Sequence, residues 1–159
     1  MKGLTKLVTA VSRLMFVVAG IALAGSMALT VSDVILRALK RPIVGTYELV
    51  GMLGAIVIGF AIPQTSRMKG HVVMDFVTGS LPTWLERCLS VMTRACAIAL
   101  FVIVGWNLIA MGNDFRRVGE VTPTLHLPMY PVTYGIALAC FVECAVLFLA
   151  MFERKDGEE

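Results

Sequence analysis

The stretch LMFVVAGIALAGSMALTV, Leu14 to Val31, carries no charge and lies between Arg13 and Asp33. A helix needs about 20 mostly apolar residues to cross about 30 Å of hydrocarbon, so this run reads as the core of a membrane span. A secretory signal is the competing reading, because Lys2, Lys6 and Arg13 precede the run and Ala22-Leu23-Ala24 resembles a cleavage site. The apolar run continues past that site without a polar break, which favours a retained helix. The helix is expected to continue through Asp33 and Arg37, four residues apart on one face. Ahead of it, Leu4, Leu7, Val8 and Val11 recur at helical spacing opposite Lys2, Thr5, Lys6 and Ser12. That pattern predicts a separate short helix in the headgroup region.

Three more runs follow. Leu49 to Ser66 and Ala95 to Asn113 are uncharged, and Pro128 to Phe152 is interrupted only by Glu143. Extended to their flanks, the four spans are predicted at about 14–38, 47–66, 84–112 and 128–152. Tyr47, Trp84, Trp106, Tyr130 and Tyr134 fall towards span ends, where amphipathic rings prefer the interface. The fold class expected is an all-α integral membrane protein, one four-helix domain over residues 1–159.

Composition agrees. Of 159 residues 58% are hydrophobic and 16% charged, with mean hydropathy +0.83, against roughly 45–50% and about 25% in soluble domains. A soluble enzyme, a disordered tail and a nucleic-acid-binding domain are excluded. The net charge of +3 suits a membrane protein with basic loops. Lys2, Lys6, Arg13, Arg67, Lys69, Arg87, Arg94, Arg154 and Lys155 lie on one side, and Arg37, Lys40, Arg41, Arg116 and Arg117 on the other. The positive-inside rule therefore places both termini in the cytoplasm. Between the second and third spans, Val72, Val73, Phe76 and Val77 repeat at helical spacing, with His71 and Asp75 on another face. A short amphipathic surface helix is expected at about 71–80, ended by Gly79 and Pro82. The loop from Asn113 to Leu127, rich in turn formers, faces the other side.

Chemistry is sparse. Cys88, Cys96, Cys140 and Cys144 form no Cys-x-x-Cys pair and read as buried apolar side chains. A haem-anchoring subunit of a respiratory complex would need histidines inside its spans; His71 and His126 lie outside them, on opposite sides. No catalytic residue, cofactor or metal is expected. A small proton-coupled homodimeric exporter would use a membrane-embedded carboxylate, for which Glu143 is the candidate; the plainer reading has Glu143 pointing at a partner helix or reaching the headgroups. Asp33 is expected to pair with Arg37, and Glu48 with a basic residue of its own loop.

Small residues say more. Gly20, Ala24 and Ala28 are spaced by four, as are Gly51, Ala55 and Gly59, and such stripes let lipid-embedded helices approach closely. A stand-alone secondary transporter would show inverted repeats, helices broken at mid-membrane and polar groups around the break. None is evident, so an accessory membrane subunit fits better than a catalyst.

Read in order, Arg37, Pro42, Thr46-Tyr47-Glu48-Leu49, Gly59, Arg67, Gly70-His71-Val72-Val73-Met74-Asp75, Leu81-Pro82 and Pro123-Thr124-Leu125-His126-Leu127-Pro128 resemble the small, DctQ-like membrane subunit of tripartite ATP-independent periplasmic (TRAP) transporters. The resemblance covers nearly the whole chain; Met129 and Tyr130 stand where a Trp is expected. It implies a bacterial inner-membrane system in which a periplasmic substrate-binding protein captures an organic acid and a large permease subunit transports it with sodium. The small subunit would scaffold the large one and help dock the binding protein. On that reading Gly20, Ala24, Ala28, Gly51, Ala55 and Gly59 pack on the large subunit, and His71 and Asp75 brace the assembly. Arg67 and Lys69 hold anionic lipid headgroups, while Arg37 and Glu48 lie in a loop open to the binding protein.

Overall fold

Positions 5, 8, 12, 15, 19, 22, 26, 29, 33 and 36 of the first helix follow alternating steps of three and four. All of them are buried or half-buried. That is the buried stripe of a helix packed lengthwise against its neighbours. It runs without a break along α1 (Lys2–Ala38), whose 37 residues extend about 55 Å. The separate headgroup helix expected over the first residues is thus the opening turns of the span itself, because Thr5, Val8 and Ser12 continue the same seam. The computed structural model describes residues 2–67 and 83–153. The surface helix expected at 71–80, with His71 and Asp75, and Lys69 before it, lies outside the described residues.

Three further helices follow: α2 (Thr46–Arg67), α3 (Thr83–Val118) and α4 (Tyr130–Glu153). All four are long and apolar enough to cross a membrane, as expected. No strand occurs among the described residues beyond one isolated bridge, Val121 to Pro128. The third helix outruns its expected end at 112. The loop expected from Asn113 begins instead after Val118, because Asn113 and Asp114 continue the helix for more than another turn. Trp106 consequently sits about three turns inside α3 instead of near its end, and it is 72% exposed.

The helices form a row, not a closed bundle. α4 packs along α3 on one side and α2 on the other, and α1 packs along α2 with a smaller contact to α4. The α3 face that meets α4 is cut for close approach: a Cβ on Gly105 would lie 3.3 Å from the Phe141 ring, and one on Gly112 only 2.8 Å from Tyr134 Cε1. Beside Gly112, the Tyr134 hydroxyl donates to Asn113 Oδ1 at 2.7 Å. On α4's other side, Ile136 fills the space at Gly59 of α2, where a Cβ would meet Ile136 Cγ1 at 3.1 Å. Pro63 follows one turn later inside α2 and cannot donate to the Gly59 carbonyl. Both residues are buried, so the weakened turn is held by packing.

α1 and α3 are each stopped by a backbone device. At the end of α1, Lys40 adopts φ 58°, Lys40 N–H donates to Arg37 O and Arg41 N–H to Leu36 O. This is a Schellman cap with a lysine in the left-handed position that glycine usually fills, followed by Pro42. At the end of α3, Gly119 (φ 69°) takes that position, and Glu120 N–H donates to Phe115 O.

Candidate functional site

The two caps deliver the α1–α2 loop and the α3–α4 loop to the same end of the row. There the polar side chains are organised by backbone groups. Asp33, buried on the α1 seam, accepts from Arg37 Nη2 at 2.6 Å through Oδ2 and from Ile43 N–H at 3.0 Å through Oδ1. The predicted Asp33–Arg37 pair is therefore present, and the same carboxylate also fixes the turn into α2. Thr46, buried, donates its hydroxyl to Ile43 O. The Arg37 guanidinium carbon lies 5.8 Å above the centre of the Tyr47 ring, within cation–π range, and Tyr47 itself is 80% exposed.

Glu48 does not pair with a base of its own loop. On the first turn of α2, its carboxylate accepts from Thr124 N–H at 2.7 Å and Leu125 N–H at 3.0 Å, across 76 and 77 residues of sequence. Two backbone donors in an otherwise irregular loop offer a carboxylate what a helix N-terminus does, a pair of charge-assisted bonds in fixed directions. The loop is shaped to present them. Thr122, 1% exposed, sits inside it; its N–H donates to Leu127 O and its Oγ1 accepts from Leu127 N–H. His126 closes the turn at φ 53°. Gly45, at φ 80°, completes the fit: a Cβ there would lie 2.5 Å from Leu125 Cγ. Sequence reasoning singled out Glu48 but missed Gly45 and Thr122, and noted Leu125 only within the Pro123–Pro128 element, for its resemblance alone.

The lateral faces carry the remaining candidates. Gly20, Ala24 and Ala28 are all exposed, on the side of α1 turned away from its seam, and nothing lies within 4 Å of the Cβ position of Gly20. The second stripe divides. Gly59 is spent on Ile136 inside the chain, Ala55 is half-buried, and Gly51 is exposed with open space around it. Between α2 and α3, above α4, lies an open apolar groove of about 260 Å³, walled by Ile58, Ile62, Phe101 and Val104 and floored by Ala139 and Cys140. Arg67 ends α2 and is exposed, its Nη1 3.4 Å from Gln64 Oε1.

Glu143 does not line that groove. It is 1% exposed and stands in line with Ile136, Ala139 and Val146, on the α4 face turned to α2. It does not reach outward to the headgroups; the neighbouring helices of the chain enclose it. Cys144 Sγ lies 3.8 Å from Ile98 O. Among the described residues no group of three or more His, Cys, Asp or Glu side chains is placed to hold a metal ion.

The site is thus a pair of loops clamped by one carboxylate above a row of helices with unused faces. This geometry ties the two loops to each other. A family model described as "Tripartite ATP-independent periplasmic transporters, DctQ component" matches residues 26–156. No curated protein and no solved structure matches the chain.

Proposed function

The chain belongs to the DctQ component family of tripartite ATP-independent periplasmic transporters, and from that premise we propose that it works as a scaffold. It is a multi-pass inner-membrane subunit of such a transporter. Its proposed task is to widen the fixed part of a sodium-driven organic-acid transporter, against which the large permease subunit moves its cargo, and to help dock the periplasmic substrate-binding protein. Both termini are assigned to the cytoplasm, with the clamped loops periplasmic.

The observation that carries the reading is the open row. A lone four-helix transporter would close its helices around a path; here α1 and α3 stand at the two ends, and Gly20, Ala24 and Ala28 face outward. Small residues on a lipid-facing surface are suited to a second helix at close range. In this proposal Gly51, Ala55 and the α1 stripe meet the large subunit, Gly59 having been taken up internally. Arg67 and Lys69 hold anionic headgroups on the cytoplasmic side, and His71 and Asp75 brace the assembly there.

The test is an affinity pull-down of the tagged chain from native membranes in mild detergent, with partners identified by mass spectrometry. The expected result is one large polytopic permease in about equal amount. Recovery of the chain with itself alone would overturn the scaffold reading.

A further inference from the structure

The outward side of α3 carries a pattern that the row does not use. Gly105 and Gly112 turn one face of this helix to α4. Half a turn around from them, Cys96, Leu100, Ile103, Asn107, Ala110 and Asp114 recur in alternating steps of four and three, and Arg117 continues the series. All seven are exposed. That period is the one two helices present to each other when they lie side by side. Cys96 and Ala110 are small enough for a close approach, and Leu100 and Ile103 supply the larger knobs.

The centre of the stripe is polar. Asn107 stands near the middle of the 28-residue apolar span Val91–Val118. Its Nδ2 donates to Ile103 O at 2.9 Å, one turn back on the same helix. That bond uses one of the amide's two N–H groups; the second N–H and Oδ1 remain for a partner. Hydrocarbon offers none, whereas a facing helix does, and such interhelical bonds help hold membrane helices together.

Three features select a second copy of this chain as the occupant. Copies inserted in the same sense pair about a two-fold axis along the membrane normal, which sets every residue at the depth of its twin. Asn107 then meets its own counterpart, and a carboxamide, both donor and acceptor, is complementary to itself. Towards the loop end, the same symmetry brings Asp114 of each copy near Arg117 of the other; both residues are exposed, and neither is in an ion pair among the described residues. The stripe also lies at the opposite end of the row from the α1 face assigned to the large permease, so both can be occupied at once.

We propose that the outer face of α3 is a homodimer interface, a parallel α3–α3 pair registered by Asn107 and closed at its loop end by crossed Asp114–Arg117 pairs. On the scaffold reading, two small subunits joined in this way carry two permeases on their outer α1 faces; the pairing itself does not depend on that reading.

The experiment places a photo-crosslinking residue at Ile103, and separately at Val102, exposed but off the stripe. The full chain is used in native membranes that carry two differently tagged copies, and everything captured is identified by mass spectrometry. Expected are tag-to-tag crosslinks from position 103 and only background from 102. Asn107→Leu keeps the stripe apolar and should lower the crosslinks from 103 about three- to tenfold, the worth of one interhelical bond. Asp114→Arg should lower them too, and Asp114→Arg combined with Arg117→Asp should restore them, which a misfolded helix would not do. Crosslinks from 103 that reach only the permease or phospholipid overturn the homodimer in favour of that occupant. Tag-to-tag crosslinking that Asn107→Leu leaves unchanged overturns it as well, because chance collision in the bilayer needs no amide.

Discussion

Replacing Gly45 by alanine tests whether the clamp depends on the shape of its turn. The backbone there has φ 80°, which costs an L side chain about 1–2 kcal/mol. The new Cβ would also stand 2.5 and 2.6 Å from Leu125 Cγ and Cδ1, and because Cγ is not the free tip of a side chain, the loop itself must move. Overpacking of this kind costs about 1–3 kcal/mol. The expected total is about 2–5 kcal/mol, measured as loss of unfolding free energy of the purified chain during reversible denaturation in mixed detergent micelles. The two contributions separate in a double-mutant cycle. Leu125→Ala removes the obstacle but not the strained φ, so the double variant should be less destabilised than the sum of the singles by about 1–3 kcal/mol. A loss below about 0.5 kcal/mol for Gly45→Ala, or strict additivity with Leu125→Ala, would refute the reasoning.

Four further outcomes are expected. Glu48→Ala should lower the melting temperature of the isolated chain, and Glu48→Gln should lower it less, since an amide keeps one acceptor oxygen for the two backbone donors; equal melting of both with the wild type would show the clamp to be idle. Lys40→Gly should raise unfolding free energy by about 0.5–1 kcal/mol by relieving the left-handed lysine in the α1 cap, against the entropy glycine adds to the unfolded chain. Gly112→Ala should destabilise by about 1–3 kcal/mol, because its Cβ drives the Tyr134 ring off Asn113, and Tyr134→Phe should remove part of that penalty. Gly20→Leu, facing open space, should leave melting of the isolated chain unchanged while reducing co-purification of the large permease; unchanged co-purification would take the α1 stripe out of the interface.

The spans were legible because burial in lipid demands uninterrupted apolar length, and Arg13, Asp33, Arg94 and Asp114 bound those lengths in plain view. What misled was local punctuation. Asn113 and Asp114 read as the start of a loop, but the helix runs on through them, and Asn113 Oδ1 accepts from Tyr134 of another helix, a contact set by tertiary packing. Lys40 ends α1 in a conformation that lysine does not advertise. The first residues of α1 show an amphipathic pattern that suits a surface helix and a seam equally; only the register shared with Met15 and Ala19 decides between them. Asp33 found its expected partner because Arg37 is one helical turn away. Glu48 found a partner no spacing rule could supply, 76 residues on and on the main chain. Of the stripe residues Gly59 admits a close neighbour, Ile136 of the chain's own α4, and the spacing by four gave no sign that this one would be used internally.

The row arrangement has a consequence for biogenesis. α2 and α4 both pack on two sides, but α4 alone joins α3 to the rest, and of the four helices it is the last to be synthesised. Until it enters the bilayer, the α1–α2 pair and α3 share no extensive contact, and Glu48 has no loop to hold. The chain therefore stays two uncoupled pieces through most of its synthesis and acquires its tertiary structure at the final insertion step. A ribosome that stalls before Tyr130 would leave unassembled helices exposed to membrane quality-control proteases, so only full-length subunits would reach a partner.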